Sequence, residues 1–321
     1  MNKIVEVKKI PKKTFFLPFA ACRGKCVYCN QNAITGVQEI ISLDKVANEL
    51  SFLETPHEVC FFGGSFCRFP KETVFAYLDA VKDCAPDGST IRFSTYPCDL
   101  DEESFRHRIK TYPLSCVEFG IQSMDETTLA VTRRVQDPTT ILKSLEVLKS
   151  EKIPLGVQLM AGLPGQTKES SLADLEKLAK VKGNELWDLR LYPCLVISGT
   201  VLEKMYNVSS YTPLSLEQAI DWGADFLNRA LELGFNPIRI GLQETDSLAT
   251  SVIAGPHHPA LGELIEGIAL ARRLARLNKV KWIVHKKDIS KLTGHDNFGF
   301  KELARLTMQS LENTKKDVTF I

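Results

Sequence analysis

Three cysteines near the N-terminus have the spacing for redox chemistry: Cys22-Arg-Gly-Lys-Cys26-Val-Tyr-Cys29 follows the apolar run from Phe15 to Ala21. A structural zinc ion takes four ligands, usually in pairs at short spacing, and here a fourth is missing. Three thiolates can instead hold three irons of a [4Fe-4S] cube and leave the fourth iron open to a small molecule. The bland alternative is three unrelated cysteines, one of them buried as a small hydrophobe. It does not account for the motifs that follow in order along the chain.

Those cysteines need a scaffold, and the pattern of apolar residues supplies one. Short β-branched or aromatic runs alternate with amphipathic stretches, the signature of an α/β protein with a parallel sheet. Strands are expected near 15–20, 58–63, 90–95, 115–121, 154–161 and 186–193. Helices are expected near 43–54, 71–84, 100–110, 125–132, 138–151 and 168–181. In such folds function gathers at the C-terminal ends of the strands and in the loops after them.

A length of 321 residues is enough for a barrel-sized core. With 40 basic against 39 acidic residues the net charge is +1, so no global field argues for nucleic acid or membrane. Lys8, Lys9, Lys12 and Lys13 make the N-terminus basic, but no apolar signal core follows and no run approaches a membrane span. The expectation is a cytoplasmic protein with no membrane partner. Its nine cysteines read as reduced thiols and metal ligands rather than a disulfide frame.

The cysteine motif, with aromatic Tyr28 before its last member, resembles that of the radical S-adenosylmethionine superfamily. The resemblance implies a partial (β/α)6 TIM-like barrel. It also implies that S-adenosylmethionine chelates the open iron through its amino and carboxylate groups. An electron from a reducing partner such as flavodoxin or ferredoxin then releases a 5'-deoxyadenosyl radical. Phe61-Phe62-Gly63-Gly64-Ser65-Phe66 matches the glycine-rich segment that holds the amino group, so Gly63, Gly64 and Ser65 are candidate cofactor contacts; glycines let backbone approach a ligand closely. Ser94-Thr95-Tyr96-Pro97 resembles a Ser-Thr-Arg-Pro-Asp segment with tyrosine in place of the arginine. Glu118 and Gln122 share strand parity, so both are expected on one face, where ribose hydroxyls would satisfy them. Arg133 or Arg134 could grip the methionine carboxylate through a planar fork; Arg134 is preferred, although Val135-Gln136 replaces the usual Gly-His. Leu159 and Leu163, within Gln158-Leu159-Met160-Ala161-Gly162-Leu163-Pro164-Gly165, are expected on the adenine side.

The segments Leu189 to Thr200, Ile238 to Gln243 and Ala254 to Pro259 narrow the resemblance. It is to the radical branch of the elongator catalytic subunit, and to short bacterial members without an acetyltransferase domain, over about Phe15 to Glu266. Acetyl transfer is therefore not expected. Tyr192 and His258 are the candidate catalytic side chains; a loop histidine can serve as acid or base near neutral pH. Residues 1–276 are expected to form the barrel and its extension, and 277–321 a small α+β module. The tail's β-α-α-β order is reminiscent of a K-homology module, with Gly294-His295-Asp296-Asn297 as its loop and Lys281, Lys286, Lys287 and Lys291 nearby. An appendage sealing a sheet edge is the plain alternative. Cys67, Cys98 and Cys194 follow three different strands, which suggests a second iron–sulfur cluster or a hydrogen-atom donor; small filler is the plainer reading. Cys60, Cys84 and Cys116 carry no claim. The expected function is reductive cleavage of S-adenosylmethionine and hydrogen abstraction from an unidentified substrate. The alternatives are a tRNA-modifying enzyme that binds RNA through the tail, a coproporphyrinogen oxidase-like enzyme, and a non-catalytic iron–sulfur or zinc-binding scaffold.

Overall fold

The computed structural model describes residues 10–19, 21–22, 26–134 and 136–321. Lys8 and Lys9, the Arg23–Lys25 stretch of the cysteine motif, and Val135 lie outside them. Its main sheet has seven strands. The first six are β1 (Lys12–Leu17), β2 (Glu58–Gly63), β3 (Thr90–Thr95), β4 (Leu114–Gln122), β5 (Leu155–Ala161) and β6 (Asp188–Pro193), followed in the sheet by the strand Asn236–Ile240. The pairs β1 with β2, β2 with β3, β3 with β4, and β6 with Asn236–Ile240 are parallel. Each of the six expected helices forms, within a few residues of its expected bounds.

Two expectations need correction. The first strand spans 12–17 rather than 15–20, because Lys12 and Lys13 are held in it by ion pairs to Glu58 and Glu49, both 2.8 Å. The six-strand sheet gains a seventh strand at Asn236–Ile240. Pro237 hides it in the sequence, since a residue without an N–H suits only an edge strand, and this strand stands at the end of the order.

By chain contacts the residues divide into two compact units: 1–25, 31–121 and 135–157 in one, 26–30, 122–134 and 158–321 in the other. In the first unit the two faces of β1 to β4 differ in chemistry, as a period of two dictates. One face carries Phe15, Phe61 and Phe93, with the Phe66 ring 5.0 Å from each of the latter two, stacked on Phe61 and tilted against Phe93. The helices Leu43–Ser51 and Lys71–Cys84 bury Val46, Leu50, Val74 and Leu78. The other face carries Lys12 opposite Glu58, then Arg92 and Glu118, each two residues further along its strand than the position opposite the charge before it.

The second unit contains the helices Leu216–Glu232 and Leu261–Arg276, packed through Ile220, Ala224, Leu227, Leu264, Ile265 and Ile268. Ser215 and Gln218 form a reciprocal cap at the start of the first. Its last segment runs from strand Trp282–Val284 through the helix Ile289–Thr307, broken at residues 294–297, and the helix Leu311–Asp317 to strand Val318–Phe320, the two strands pairing in parallel. Trp282, Leu292, Phe300 and Leu303 share a core with Leu270 and Leu274 of the preceding helix. Among the described residues no helix is long and apolar enough to cross a membrane.

Candidate active site

The site is assembled from strand ends and the loops that follow them. In the first unit, Gln31 ties the turn before Cys22 to the end of β2: its Oε1 accepts from the Phe19 N–H, and its Nε2 donates to the Gly63 carbonyl at 2.8 Å. Gly63 sits at φ 126°, where a Cβ would lie 2.4 Å from the Leu17 carbonyl oxygen; only glycine permits that approach. The Gly64 N–H donates to the same oxygen at 2.9 Å. Ser65, fully buried, accepts from the Tyr96 N–H at 2.9 Å, meets the Thr95 hydroxyl at 3.0 Å and donates to Asp99. Its hydroxyl therefore joins the turns after β2 and β3.

Glu118 is 1% exposed, and its Oε1 accepts from Arg92 at 2.7 Å; Arg92 also reaches Glu58 at 2.8 Å. A buried charge needs such partners. Burial alone would push the Glu58 carboxyl up, but hydrogen bonds from Lys12, Arg92 and Ser115 prevail and hold it at about 2. Arg92 is raised despite its burial, by the negative groups around it. Cys67 is buried, its thiol pushed up by that burial, and its N–H donates to Thr95. Cys98 is half-buried and accepts from Gln136 Nε2 at 3.6 Å.

In the second unit, residues 26–30 form a tight turn closed by the Cys29 N–H on the Cys26 carbonyl at 3.1 Å. Val27 is buried in an apolar cluster with Met160, Leu163, Cys194, Val196, Leu202 and Tyr211, against which Tyr28 and Tyr192 also pack. Leu163 and Tyr192 thus share the apolar bed of the cysteine loop. The Val27 N–H donates to the Thr132 carbonyl, and the Val27 carbonyl accepts from Leu202 at 2.8 Å. Arg134 Nη1 lies 3.4 Å from Cys26 Sγ and 3.2 Å from the Tyr28 hydroxyl. Arg133 instead is exposed. Tyr211 donates to the Gly162 carbonyl at 2.7 Å, and burial pushes the Cys194 thiol up to about 12.

Gln122 closes β4 with a left-handed backbone, φ 69°. Its Oε1 is buried and accepts no hydrogen bond among the described residues. Asp174, from the helix Lys168–Lys182, fixes the turn just beyond by accepting from Ser123 and from the Met124 N–H at 2.9 and 2.8 Å. His258 Nδ1 accepts from the Ala260 N–H at 3.0 Å, with its ring edge-on to His295. His257 pairs with Glu244 at 3.0 Å.

Gln31, Asp99 and Asp174 are positioning residues that sequence reasoning missed. Each acts on a partner more than ten positions away, and none sits in a local pattern. A cluster with a hydroxyl-bearing co-substrate suits the donor set: three half-buried thiols outside any disulfide, and an amide oxygen that a hydroxyl would satisfy. Among the described residues, no three His, Cys, Asp or Glu side chains converge as a single metal ion requires. A cube differs in spreading its thiolates over three irons.

Comparison with known proteins agrees with this chemistry. The profile of the Radical SAM superfamily matches residues 16–178, and that of the Radical_SAM C-terminal domain matches 187–269. The chain is 26% identical over 177 residues to the tRNA uridine(34) acetyltransferase of Methanocaldococcus jannaschii, covering 54% of this chain and 32% of that protein. The match thus spans about a third of that curated relative. Among solved structures, the archaeal Methanocaldococcus infernus Elp3 superposes with a TM-score of 0.62 at 19% identity, over 83% of this chain and 63% of that one. The Escherichia coli coproporphyrinogen III oxidase HemN, a radical SAM enzyme, gives 0.53 at 15% identity, over 83% and 59%. The likeness to these structures shows the fold, a partial TIM-like barrel with a parallel sheet. With half of its length under the superfamily profile, this chain belongs to the radical S-adenosylmethionine superfamily and is an enzyme of that class.

Proposed function

We propose that this enzyme directs its radical chemistry at RNA and that residues 277–321 form the module that meets it. The observation carrying this reading is the name of the matched relatives, tRNA uridine(34) acetyltransferases from more than one organism. It is supported by four exposed lysines in the tail, Lys279, Lys281, Lys286 and Lys287, which could neutralise phosphates. The break at Gly294-His295-Asp296-Asn297 is compatible with a backbone-gripping loop. Lys291 is engaged with Glu266 and Asp288 and contributes to the fold instead.

Cys22, Cys26 and Cys29 would hold a [4Fe-4S] cluster, which when bound would supply the electron for reductive cleavage of S-adenosylmethionine. This chain's residues then position and shield. Gln122 Oε1 accepts a ribose hydroxyl, Leu159 and Leu163 give the adenine an apolar seat, and the Gly63-Gly64 backbone approaches the methionine amino group. Ser65 and Glu118, engaged with Asp99 and Arg92, hold the strand ends in place. Tyr192 and His258 face the substrate. The reductant is a flavodoxin- or ferredoxin-class donor, and the setting is the reducing cytoplasm. About eight irons per chain rather than about four would mark a second cluster on Cys67, Cys98 and Cys194.

The test is a gel shift of the full chain with bulk tRNA across a salt series. The triple variant Lys281→Glu, Lys286→Glu, Lys287→Glu is expected to bind at least about tenfold more weakly and with a shallower salt dependence. Equal binding by the variant and the parent contradicts the RNA reading.

A further inference from the structure

Two arginines stand side by side on the sheet, and a slip in the strand register puts them there. β6 alternates strictly: Leu189, Leu191 and Pro193 are buried, whereas Asp188, Arg190 and Tyr192 are half-buried. Leu191 faces the helices, where it lines an apolar space with Ile240, Leu261 and Ile265; Arg190 and Tyr192 therefore face the other way. On the neighbouring strand Asn236–Ile240 the pairing skips a residue: Leu189 is opposite Pro237, but Arg190 is opposite Arg239. Ile238 is the extra residue of a β-bulge, a device that re-aims side chains. Without it Arg190 would stand opposite Ile238, and Arg239 would turn with Leu191 toward the helices. The bulge instead sets two guanidinium side chains on one face of adjacent strands, about 4.8 Å apart at the backbone. Like charges so placed repel. One acid, Asp188, stands on the same face two residues before Arg190, and it accepts from Asn236 Nδ2 at 2.7 Å. Arg239 is half-buried, donates through Nε to the Gly241 carbonyl at 3.3 Å, and makes no ion pair among the described residues. Tyr192, on the face of Arg190 and about 7 Å further along the strand, packs against the apolar bed of the cysteine loop.

We propose that Arg190 and Arg239 form a binding site for a phosphate group, on the side of the sheet that carries the cysteine loop. A bulge that brings two cations together costs stability, and an anion seated between them offsets that cost. The geometry selects the kind of anion. A carboxylate has two oxygens in one plane and is satisfied by a single guanidinium fork, whereas the tetrahedral oxygens of a phosphate can be gripped by two forks from adjacent strands at once. The phosphate can come from the backbone of an RNA or from a small phosphorylated molecule. The RNA source rests on the function proposed above; the phosphate chemistry does not.

The experiment is phenylglyoxal modification of the reconstituted full chain, read arginine by arginine by peptide mass spectrometry, with pyrophosphate, malonate or bulk tRNA present. Near-saturating pyrophosphate is expected to slow modification of Arg239 at least about fivefold. Malonate should leave Arg239 unchanged, and exposed Arg133 should react alike with either small anion. In the RNA arm, bulk tRNA should protect Arg239 as well. Arg239→Gln should make the log–log salt dependence of tRNA binding shallower by about 0.7–0.9, the share of one phosphate contact. Arg239→Lys keeps the charge and should restore that slope, with an affinity between the two. Protection is read on the parent protein, so the test stands even if the glutamine variant does not fold. Modification of Arg239 that pyrophosphate leaves unaffected, or that malonate slows equally, overturns the inference even where the tail binds tRNA. Protection by pyrophosphate, with tRNA bound and its salt dependence unchanged in Arg239→Gln, assigns the site to a small phosphorylated molecule and leaves the RNA reading intact. A parent protein that binds no tRNA while pyrophosphate protects Arg239 removes the RNA reading and keeps the phosphate site.

Discussion

Glu118 and Gln122 lie four residues apart on one strand and meet opposite circumstances. Glu118 is bonded to Arg92 within a line of alternating charge, Lys12, Glu58, Arg92 and Glu118. Gln122 has a left-handed backbone and a buried amide oxygen with no acceptor role among the described residues. A buried polar group with partners serves the fold, whereas a strained and unsatisfied one costs stability and persists where a ligand repays it. The difference separates a residue that holds β1 to β4 from one that the proposed function leaves for the co-substrate, and substitutions at the two kinds of position should fail in different ways.

The largest effect belongs to the ligand side. Cys26→Ala, like alanine at Cys22 or Cys29, is expected to reduce dithionite-driven release of 5'-deoxyadenosine to background, while the melting curve of the apoprotein moves little. On the fold side, Arg92→Ala leaves two buried carboxylates without their shared cation and should cost about 3–5 kcal/mol in chemical denaturation. Acid tests the same network without a mutation. The Glu58 carboxyl is held at about 2, against 4.5 for an ordinary glutamate. Its contribution is therefore fully present above pH 4.5 and is lost as the pH falls toward 2, up to about 3 kcal/mol. Glu58→Gln should flatten that part of the stability profile. The smallest effect sharpens the contrast most: Gln122→Leu should leave stability unchanged or slightly raised, since an unsatisfied polar atom is removed. It should weaken binding of S-adenosylmethionine to the oxidised holoenzyme by about tenfold, the value of one hydrogen bond to a buried group. If Gln122→Leu unfolds the protein, or Arg92→Ala does not destabilise it, the division between the two sets is wrong.

The sequence made local features legible. The apolar run Val59 to Phe62 and the alternation of Val117, Phe119 and Ile121 announced strands, and the spacing of the three cysteines announced a cluster motif whose chemistry the family resemblance supplied. It also singled out Arg134 as the arginine to watch. The αL residue Arg133 and the contact to Cys26 are set by a helix end that no spacing rule describes. The first strand was misplaced because lysines are poor strand signals until Glu58 and Glu49 are seen beside them. The left-handed backbone at Gln122, φ 69°, had no signal in the strand's alternation. Gln31, Asp99 and Asp174 were invisible for a related reason: their functions exist only once distant turns come together. Periodicity reports which side of an element is buried, and it is silent on which polar groups will meet there.

The central claim is that three thiolates hold a cluster able to break S-adenosylmethionine. The most direct test is the amount of 5'-deoxyadenosine formed per chain when the anaerobically reconstituted protein is given S-adenosylmethionine and dithionite. The account predicts release that requires both reagents and scales with about four irons per chain. A reconstituted protein that carries its irons and releases none would contradict it.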